Sequence, residues 1–289
     1  MGTKLFQPNR PHAKEISWCP GCGNFAIRLA LMDALEELSF KPENTAIVSG
    51  IGQAGKMPHY INANGFHSLH GRAIPIGTGL KLANPDLNVI IIGGDGDMYS
   101  EGMGHFVHGI KRNANVTVIV HDNQVYGLTK GQTSPTTLIG MKTSTHPGGV
   151  FVEPINPVAL AISLDCSFVA RTFIGNKEET KTIIKEAITH EGFSFIDIFQ
   201  PCVTFNRVNT YEWYKEHTKF INNIETSNRK KAFELSLNTD PYYLGIFYKT
   251  TRAIFENSID GYKLIKDPLY KRTVDVSLIS KFIEDNYKL

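Results

Sequence analysis

The stretch LNVIIIGGDGD, residues 87–97, decides the fold, because an apolar run in it leads directly into a turn of glycine and aspartate. A second run, VTVIVHDN at residues 116–123, also ends on polar residues. Strands that are apolar on both faces are typical of a parallel sheet covered by helices on both sides. Further short apolar runs at 45–49, 168–170 and 193–198 alternate with helical spacing at 24–38, 98–113, 156–164 and 177–190. The sequence therefore predicts an α/β fold, a mostly parallel sheet with helices on both faces.

The composition changes near residue 205. Of the 25 glycines, all but Gly245 and Gly261 lie in residues 1–204, whereas eight of the 11 tyrosines come later. Tight turns around a ligand need glycine. We therefore expect residues 1–204 to form the domain that binds the ligand, and residues 205–289 to be a C-terminal extension that packs on a partner.

The composition also argues against several classes of protein. Apolar residues make up 42% and charged residues 20% of the 289 residues, and the formal net charge is +2. This balance argues against a nucleic-acid-binding protein. No apolar run approaches the roughly 20 residues that span a bilayer, and the first residues lack the apolar core of a secretory signal. Four cysteines, two of them in a CxxC, indicate metal, cluster or redox chemistry in a cytoplasmic protein rather than disulfides.

Polar residues follow two neighbouring strands of the predicted sheet, at the point where each strand ends. Asp95 follows the first strand, and Asn123, 28 residues later, follows the next one. Ligands bind at the carboxyl ends of parallel strands, and a carboxylate with an amide oxygen suits Mg²⁺. The glycines beside Asp95 allow backbone N–H groups to approach a phosphate, and Gly127, Leu128 and Thr129 add a second turn with a hydroxyl group. We predict a Mg²⁺-diphosphate site; the alternative is an ordinary strand-to-helix turn with Asn123 as a helix cap.

The loop GIGQAG at residues 50–55 matches the dinucleotide-binding fingerprint and also follows a predicted strand. That fingerprint needs a helix that begins at once and an acidic residue about 20 positions later. Pro58 interrupts such a helix, and no Asp or Glu lies between Lys56 and Pro85. Binding of NAD or FAD is therefore the weaker interpretation of this loop.

Four sequence strings narrow the possibilities: WCPGCG at 18–23, LHGR at 69–72, GGDGD at 93–97 and YGLTKGQTSPT at 126–136. Together they resemble the β subunit of 2-oxoacid:ferredoxin oxidoreductases, of the 2-oxoglutarate kind, over about residues 10–205. The resemblance implies the thiamine-diphosphate-binding fold. It also implies an enzyme that oxidatively decarboxylates a 2-oxoacid with CoA to acyl-CoA and CO₂ and reduces ferredoxin.

The same resemblance assigns roles to individual residues. Mg²⁺ would be held by Asp95, Asn123 and the backbone carbonyl of Val125. The cofactor would be bound by Ile51, Gly52, His70 and Arg72 near the thiamine, and by Gly94, Gly96, Asp97, Gly127, Leu128 and Thr129 around the diphosphate. Lys56 and Lys130 would face the substrate carboxylate, where a cation is physically sensible, and His70 would act beside the cofactor.

The resemblance also implies a partner chain. Activation of thiamine diphosphate normally needs a glutamate against the aminopyrimidine ring, and the predicted site loops hold none. In the family the α subunit supplies this glutamate. We therefore expect the chain to be inactive alone and to act in a heterodimer or a dimer of heterodimers. Glu101 and Glu43 are the alternative candidates within the chain.

The cysteines leave one question open. In the family four cysteines hold a [4Fe–4S] cluster; Cys19, Cys22 and Cys202 match three of them, but the fourth position is Gln53. Iron–sulfur clusters are normally held by thiolates. A cluster with one other ligand, a cluster completed by the partner, no cluster, and zinc on three cysteines are the open alternatives. We expect Cys166 to be a buried free thiol.

Two other functions are open at this stage. Absence of a cluster would favour a non-redox, thiamine-diphosphate-dependent 2-oxoacid decarboxylase or lyase. The other is a dinucleotide- or metal-binding protein without thiamine.

Overall fold

The computed structural model describes residues 5–8, 15–222, 224–264, 267–273 and 275–287. Its strands are β1 (Thr45–Ser49), β2 (Asn64–His67), β3 (Asn88–Gly94), β4 (Val116–Asp122), β5 (Val125–Tyr126), β6 (Gln132–Thr133), β7 (Phe168–Phe173), β8 (Phe193–Phe199), β9 (Thr218–Phe220) and β10 (Tyr242–Lys249). Its α-helices are α1 (Gly23–Glu37), α2 (Ala73–Ala83), α3 (Met103–Arg112), α4 (Pro157–Ser163), α5 (Lys177–Thr189), α6 (Tyr211–His217), α7 (Arg229–Ser236), α8 (Phe255–Ser258), α9 (Asp260–Leu264) and α10 (Val276–Asn286).

Eight strands form one sheet in the order β2-β1-β3-β4-β8-β7-β10-β9. The first six strands in this order run parallel, which confirms the predicted mostly parallel α/β sheet. Strand β10 pairs antiparallel with β7, and β9 pairs with β10. Residues beyond 204 thus continue the sheet of the first segment, and the proposed division at that point stays a prediction.

Helices cover both faces of the sheet, as the apolar strands predict. Alternate residues of β3 point to opposite faces. Ile90 and Ile92 pack in a core that includes residues of α1 and α5. Val89 and Ile91 pack on the other side with residues of α2, α3 and α4. Both cores are buried, so the central strands are shielded from water on both sides.

Helix α2 was not predicted because its sequence, AIPIGTGLKLA, contains proline and two glycines. One of these glycines has a packing role. A side chain built on Gly77 would place its Cβ 2.5 Å from Cδ1 of Ile91. The missing side chain therefore allows α2 to lie close against β3. The helix predicted over 98–113 is also divided, into a π-helical turn at Asp97–Glu101 and then α3.

A buried ion pair ties the far half of the sheet together. Arg171 on β7 donates from Nε to Oδ2 of Asp197 on β8 at 3.0 Å. The Tyr99 hydroxyl donates to the other carboxylate oxygen at 2.9 Å. The guanidinium also lies over the rings of Phe199 and Tyr242, 4.9 and 5.6 Å from the centroids.

Within the described residues, no helix has the length and apolarity to cross a membrane.

We expect Arg171→Leu to lower the free energy of unfolding by about 3–5 kcal/mol, because it leaves the Asp197 carboxylate buried without its partner. Lys185→Leu is the matched control, since Lys185 pairs with Glu37 at the surface and exposed pairs contribute little. Urea unfolding followed by circular dichroism measures both variants. Equal stability of the two variants would contradict this role for Arg171.

Candidate active site

Loops from the carboxyl ends of β1, β3 and β4 meet at one edge of the sheet and enclose a cavity, which we call the cofactor cavity. Its lining residues are Ile51, Gly52, Gln53, Ala54, His70, Gly94, Asp95, Gly96, Asp97, Asn123, Val125, Tyr126, Gly127, Leu128 and Thr129. The structure therefore brings together all the residues predicted to bind cofactor or Mg²⁺ except Arg72. That side chain is exposed, and its Nη1 donates to the His70 carbonyl oxygen at 3.3 Å.

The Asp97 carboxylate holds the loops around this cavity. Its Oδ1 accepts hydrogen bonds from the backbone N–H of Ile51 at 3.1 Å and of Gly71 at 2.9 Å. Oδ2 is buried and has no hydrogen-bond partner among the described residues. Burial raises the pKa of Asp97, and the Gly71 and Ile51 N–H groups oppose that rise. Asp97 thus links its own loop to the loops of Ile51 and Gly71, while its second oxygen has no hydrogen-bond partner among the described residues.

At this edge of the sheet, two glycines leave room for neighbouring side chains to pack directly against the backbone. A Cβ on Gly50 would lie 1.8 Å from Oδ2 of Asp97. A Cβ on Gly96 would lie 2.4 Å from the ring of Tyr126, whose hydroxyl donates to the Gly96 carbonyl oxygen at 3.4 Å. The last two residues of the loop GIGQAG begin a 3₁₀ helix, Ala54–His59, rather than the α-helix that a dinucleotide site needs. The weaker, dinucleotide interpretation therefore lacks its structural context.

Asp95 and Asn123, the side chains predicted to bind Mg²⁺, both line the cofactor cavity. The Asp95 side chain is buried, and its Oδ2 accepts from the Thr136 hydroxyl at 2.8 Å. Burial raises the pKa of Asp95 to about 6, although nearby hydroxyl and N–H groups oppose the change. Oδ1 of Asn123 accepts from the Val125 N–H at 3.1 Å, which shapes the turn. A nearby cation would offset the cost of burying the ionised form of this carboxylate.

These residues fit a Mg²⁺ ion that is shared with a diphosphate. Mg²⁺ usually keeps only one or two protein carboxylates and fills its shell with water and substrate phosphate. Asp95, the Asn123 amide and the Val125 carbonyl supply oxygen alone. In the described part of the chain, no three His, Cys, Asp or Glu side chains are grouped to hold an ion by themselves. The phosphates would therefore have to complete the site.

Two further buried acids, Asp122 and Asp197, were missed by sequence reasoning, and Asp122 interacts with both Asp95 and Asp197. Asp122, at the end of β4, accepts at Oδ1 from the same Thr136 hydroxyl that reaches Asp95, at 2.7 Å. Burial and the charges of Asp197 and Asp95 raise the pKa of Asp122. Thr136 lies in the TSPT string that carries the resemblance, which was the signal available for it. The single hydroxyl hydrogen of Thr136 can be donated to only one of the two carboxylates at a time.

The predicted substrate lysines lie outside the lining of the cofactor cavity. Lys56 donates from Nζ to the Ser17 hydroxyl at 3.2 Å. Lys130, with φ of 76°, lies exposed beside a neighbouring open cleft that Lys142 and Arg207 also line. His70 lines the cavity itself, with much of its ring exposed. The catalytic roles of Lys56, Lys130 and His70 remain predictions.

The matched cysteines line a second cavity, which we call the cysteine cavity, next to the first. Its lining includes Cys19, Cys22, Cys202, Gln53 and Gln200. Gln53 Oε1 and Gln200 Oε1 are buried and lack partners among the described residues. Burial raises the pKa of the Cys22 thiol to about 11. Three cysteines and two glutamines thus line one cavity, although within the described residues no three Cys, His, Asp or Glu side chains are grouped to hold a single metal ion.

Cys166 lies apart from these three thiols. It is fully buried in the core and its Sγ donates to the carbonyl oxygen of Phe193 at 3.3 Å. Burial raises the pKa of its thiol to about 12. Its environment is that of a free core cysteine, as the sequence predicts.

No glutamate lines the cofactor cavity among the described residues. Glu101 is the nearest candidate along the chain, but its side chain is exposed and lies near the Tyr126 hydroxyl, 3.4 Å from it. Glu43 lies in a short 3₁₀ helix before β1, at the opposite end of that strand. The site therefore lacks, within the described chain, the acid that would face an aminopyrimidine.

The comparisons with known proteins define the class. Residues 46–198 match the family model of the thiamine pyrophosphate enzyme, C-terminal TPP binding domain. Residues 202–264 match the family model for the C terminal of the pyruvate ferredoxin oxidoreductase beta subunit. The first match covers β1 to β8 and every loop of the cofactor cavity. The chain is therefore a thiamine-diphosphate enzyme subunit.

Relatives narrow the class to a family. A 2-oxoacid:ferredoxin oxidoreductase subunit beta of Saccharolobus solfataricus is 52% identical over 199 residues, which are 68% of this chain and 65% of that protein. A 2-oxoacid:ferredoxin oxidoreductase 2, subunit beta, of Aeropyrum pernix is 42% identical over 85% of this chain and 84% of that one. The chain belongs to the β subunits of 2-oxoacid:ferredoxin oxidoreductases. This supports the predicted family over the non-redox decarboxylase.

A solved structure agrees with this assignment. It is a 2-oxoglutarate:ferredoxin oxidoreductase from Magnetococcus marinus with 2-oxoglutarate, coenzyme A and succinyl-CoA bound. Its matching chain is 34% identical, with a TM-score of 0.88 over 96% of this chain and 94% of that one. The predicted thiamine-diphosphate-binding fold is therefore confirmed.

We expect Gly50→Ala to abolish binding of thiamine diphosphate, because the added methyl group would overlap the Asp97 carboxylate and displace the loops it braces. Gly79→Ala is the control: the site on α2 has open space, and alanine favours a helix by about 0.5–1 kcal/mol. Isothermal titration with Mg²⁺ present measures binding by both variants. Wild-type affinity in Gly50→Ala would contradict the close approach.

We expect the affinity for Mg²⁺ and thiamine diphosphate to fall as the pH drops below about 6, because a proton on Asp95 then competes with the metal. Above that pH the carboxylate is ionised and affinity should level off. Asp95→Asn should remove the pH dependence together with most of the affinity. Asp86→Asn, on an exposed turn, is the control. An unchanged profile in Asp95→Asn would contradict the assignment of Asp95.

Proposed function

We propose that this chain is the thiamine-diphosphate-binding β subunit of an enzyme that oxidatively decarboxylates a 2-oxoacid, 2-oxoglutarate or a similar one, with CoA. The products are acyl-CoA and CO₂, and the electrons go to ferredoxin. The observation that carries the proposal is the cofactor cavity, where Asp95, Asn123 and the glycine turns converge. The names of the relatives and of the solved structure supply the reaction.

In this proposal the chain binds and orients the cofactor. Thiamine diphosphate, when bound, supplies a carbon nucleophile and an electron sink for decarboxylation. Asp95, Asn123 and the Val125 carbonyl would hold Mg²⁺, and Thr129 would contribute a hydroxyl group that here contacts Gln132. Asp97 keeps Ile51 and Gly71 in place beside the cavity where the thiamine would bind. Lys56 and Lys130, which lie outside the lining of the cavity, would supply positive charge for a substrate carboxylate, and Arg72 would lie near the thiamine.

An α subunit would complete the site. The cavity lacks a glutamate in its described lining, and apolar side chains around its opening are exposed to solvent. Leu128 in the lining is 42% exposed, and Leu69, the residue before His70, is 74% exposed. Apolar side chains grouped at a cavity mouth are typical of a surface that a partner covers. A heterodimer, alone or paired into a dimer of heterodimers, would supply that cover.

The C-terminal extension, residues 205–289, would contribute to the same assembly. Helix α10 exposes most of an apolar face, with Leu278 at 64% and Phe282 at 63%. Strand β10, by contrast, is fixed in the sheet. We therefore assign partner contacts to the end of the extension and a role in the fold to its middle.

The cysteine cavity would hold a [4Fe–4S] cluster that carries electrons from the cofactor to ferredoxin. Its three thiols adjoin the cofactor cavity, with Gln53, Asn123 and Gly127 lining both. A zinc ion would need four good ligands in tetrahedral geometry, and the neutral amides here are poor candidates. The non-redox decarboxylase is the competing function if no cluster forms.

The test is reconstitution of the complex. We expect the chain purified anaerobically with its α subunit to contain iron and acid-labile sulfide, and to reduce ferredoxin only when 2-oxoacid, CoA and thiamine diphosphate are all present. The chain alone should bind the cofactor without turning over. Decarboxylation without iron, sulfide or ferredoxin reduction would favour the non-redox enzyme. Turnover by the isolated chain would contradict the need for a partner.

A further inference from the structure

The cysteine cavity holds three thiols and two buried glutamine oxygens without partners. Cys19, Cys22 and Cys202 line it, and so do Gln53 and Gln200. Among the described lining residues there is no histidine, aspartate or glutamate. An anionic fourth ligand for a cubane cluster is therefore missing from the described wall of this cavity. The residue that faces the fourth iron of such a cluster would determine how firmly that iron is held.

The backbone of Gln53 is anchored at the cavity. Its carbonyl oxygen accepts from Nε1 of Trp18 at 2.8 Å, and Trp18 is the residue before Cys19. The indole ring is fixed by edge contacts with Phe25 and Tyr60, with centroids 5.2 and 4.9 Å away. Gln53 is thus tied to the segment that carries the first two thiols. Its amide oxygen remains buried without a partner in the described structure.

Gln200 is engaged differently. Its Nε2 donates to Sγ of Cys22 at 3.3 Å, so the amide already points its hydrogens at a sulfur. An N–H group facing a thiolate stabilises the negative charge of that sulfur and leaves it free to bind iron. Gln200 therefore acts on a ligand that is already present. Gln53, whose side chain has no donor contact with the thiols in the described structure, is the residue available to the open corner.

We propose that Cys19, Cys22 and Cys202 each bind one iron of a [4Fe–4S] cluster, and that the fourth iron faces Gln53 and is exchangeable. This rests on the proposed function, because it assumes the cluster. A neutral amide oxygen is a weak ligand for iron compared with a thiolate. The fourth iron is therefore held mainly by the three cluster sulfides. The other three irons keep their thiolates.

An exchangeable iron gives a defined chemistry. A one-electron oxidant such as ferricyanide removes one electron from [4Fe–4S]²⁺, and the oxidised cluster then divides into [3Fe–4S]⁺ and Fe²⁺. The charges balance, because the oxidised cluster [4Fe–4S]³⁺ carries three positive charges, of which [3Fe–4S]⁺ keeps one and Fe²⁺ takes two. Added Fe²⁺ with one electron from dithionite restores the original cluster. No sulfide and no protein bond to a thiolate is lost in either direction.

The experiment uses the complete complex, purified without oxygen. Stoichiometric ferricyanide should release about one iron per chain to a ferrous chelator and produce the EPR signal of an oxidised three-iron cluster, since three irons keep thiolates. Gln53→Cys should suppress both, because a fourth thiolate holds the iron. Gln200→Cys is the matched control in the same cavity and should still release iron. Fe²⁺ and dithionite should restore the wild-type cluster.

The outcomes separate this inference from the proposed function. Wild-type protein that keeps all its iron under ferricyanide, as Gln53→Cys does, would overturn the exchangeable corner and point to a ligand from the partner. Protection by Gln200→Cys but not by Gln53→Cys would overturn the assignment to Gln53. Iron and sulfide in Gln53→Cys but not in wild type would show that three thiols do not suffice. Absence of iron and sulfide from both wild type and Gln53→Cys would contradict the cluster in the proposed function itself.

Discussion

The arrangement of the site depends on one carboxylate, that of Asp97. Parallel strands deliver their loops to a common edge, where hydrogen bonds between the loops fix their relative positions. Asp97 does so by accepting the N–H groups of Ile51 and Gly71 on a single oxygen. The absence of a side chain at Gly50 leaves room for its second oxygen. Hydrogen bonds from backbone to a buried charged group are stronger than ordinary ones, which suits a brace that must not move when cofactor binds.

Much of this site was accessible from sequence because its signals are local. Each short apolar run ends where a polar or glycine-rich turn begins, so the strand and its functional loop are read together. Asp95 and Asn123 were identified in this way, and the structure places both in one cavity. The parallel order followed from the same strands, since a residue pattern apolar on both faces needs cover on both sides. Gln53 was also visible, as a departure from the family string.

The remaining features depend on contacts between distant segments, and no local pattern encodes them. The charge of Asp197 acts on Asp122 only because β4 and β8 pair. The Arg171 partner of Asp197 comes from a third strand. Strand β10 joins the sheet from a segment whose composition suggested an appendage. Lys56 and Lys130 had the expected charge, but their side chains lie outside the lining of the cavity, which the order of residues could not show.

The two cavities differ in the charge of the groups around them, and they share part of their lining. Around the cofactor cavity, buried acids favour a cation, whereas the cysteine cavity is lined by thiols and neutral amides. Gln53, Asn123 and Gly127 line both. A thiolate at position 53 would bring negative charge to the lining that the two cavities share, while glutamine keeps that lining neutral. In the proposed complex, glutamine at this position would therefore hold one iron less firmly than a thiolate and would place no negative charge beside the cofactor.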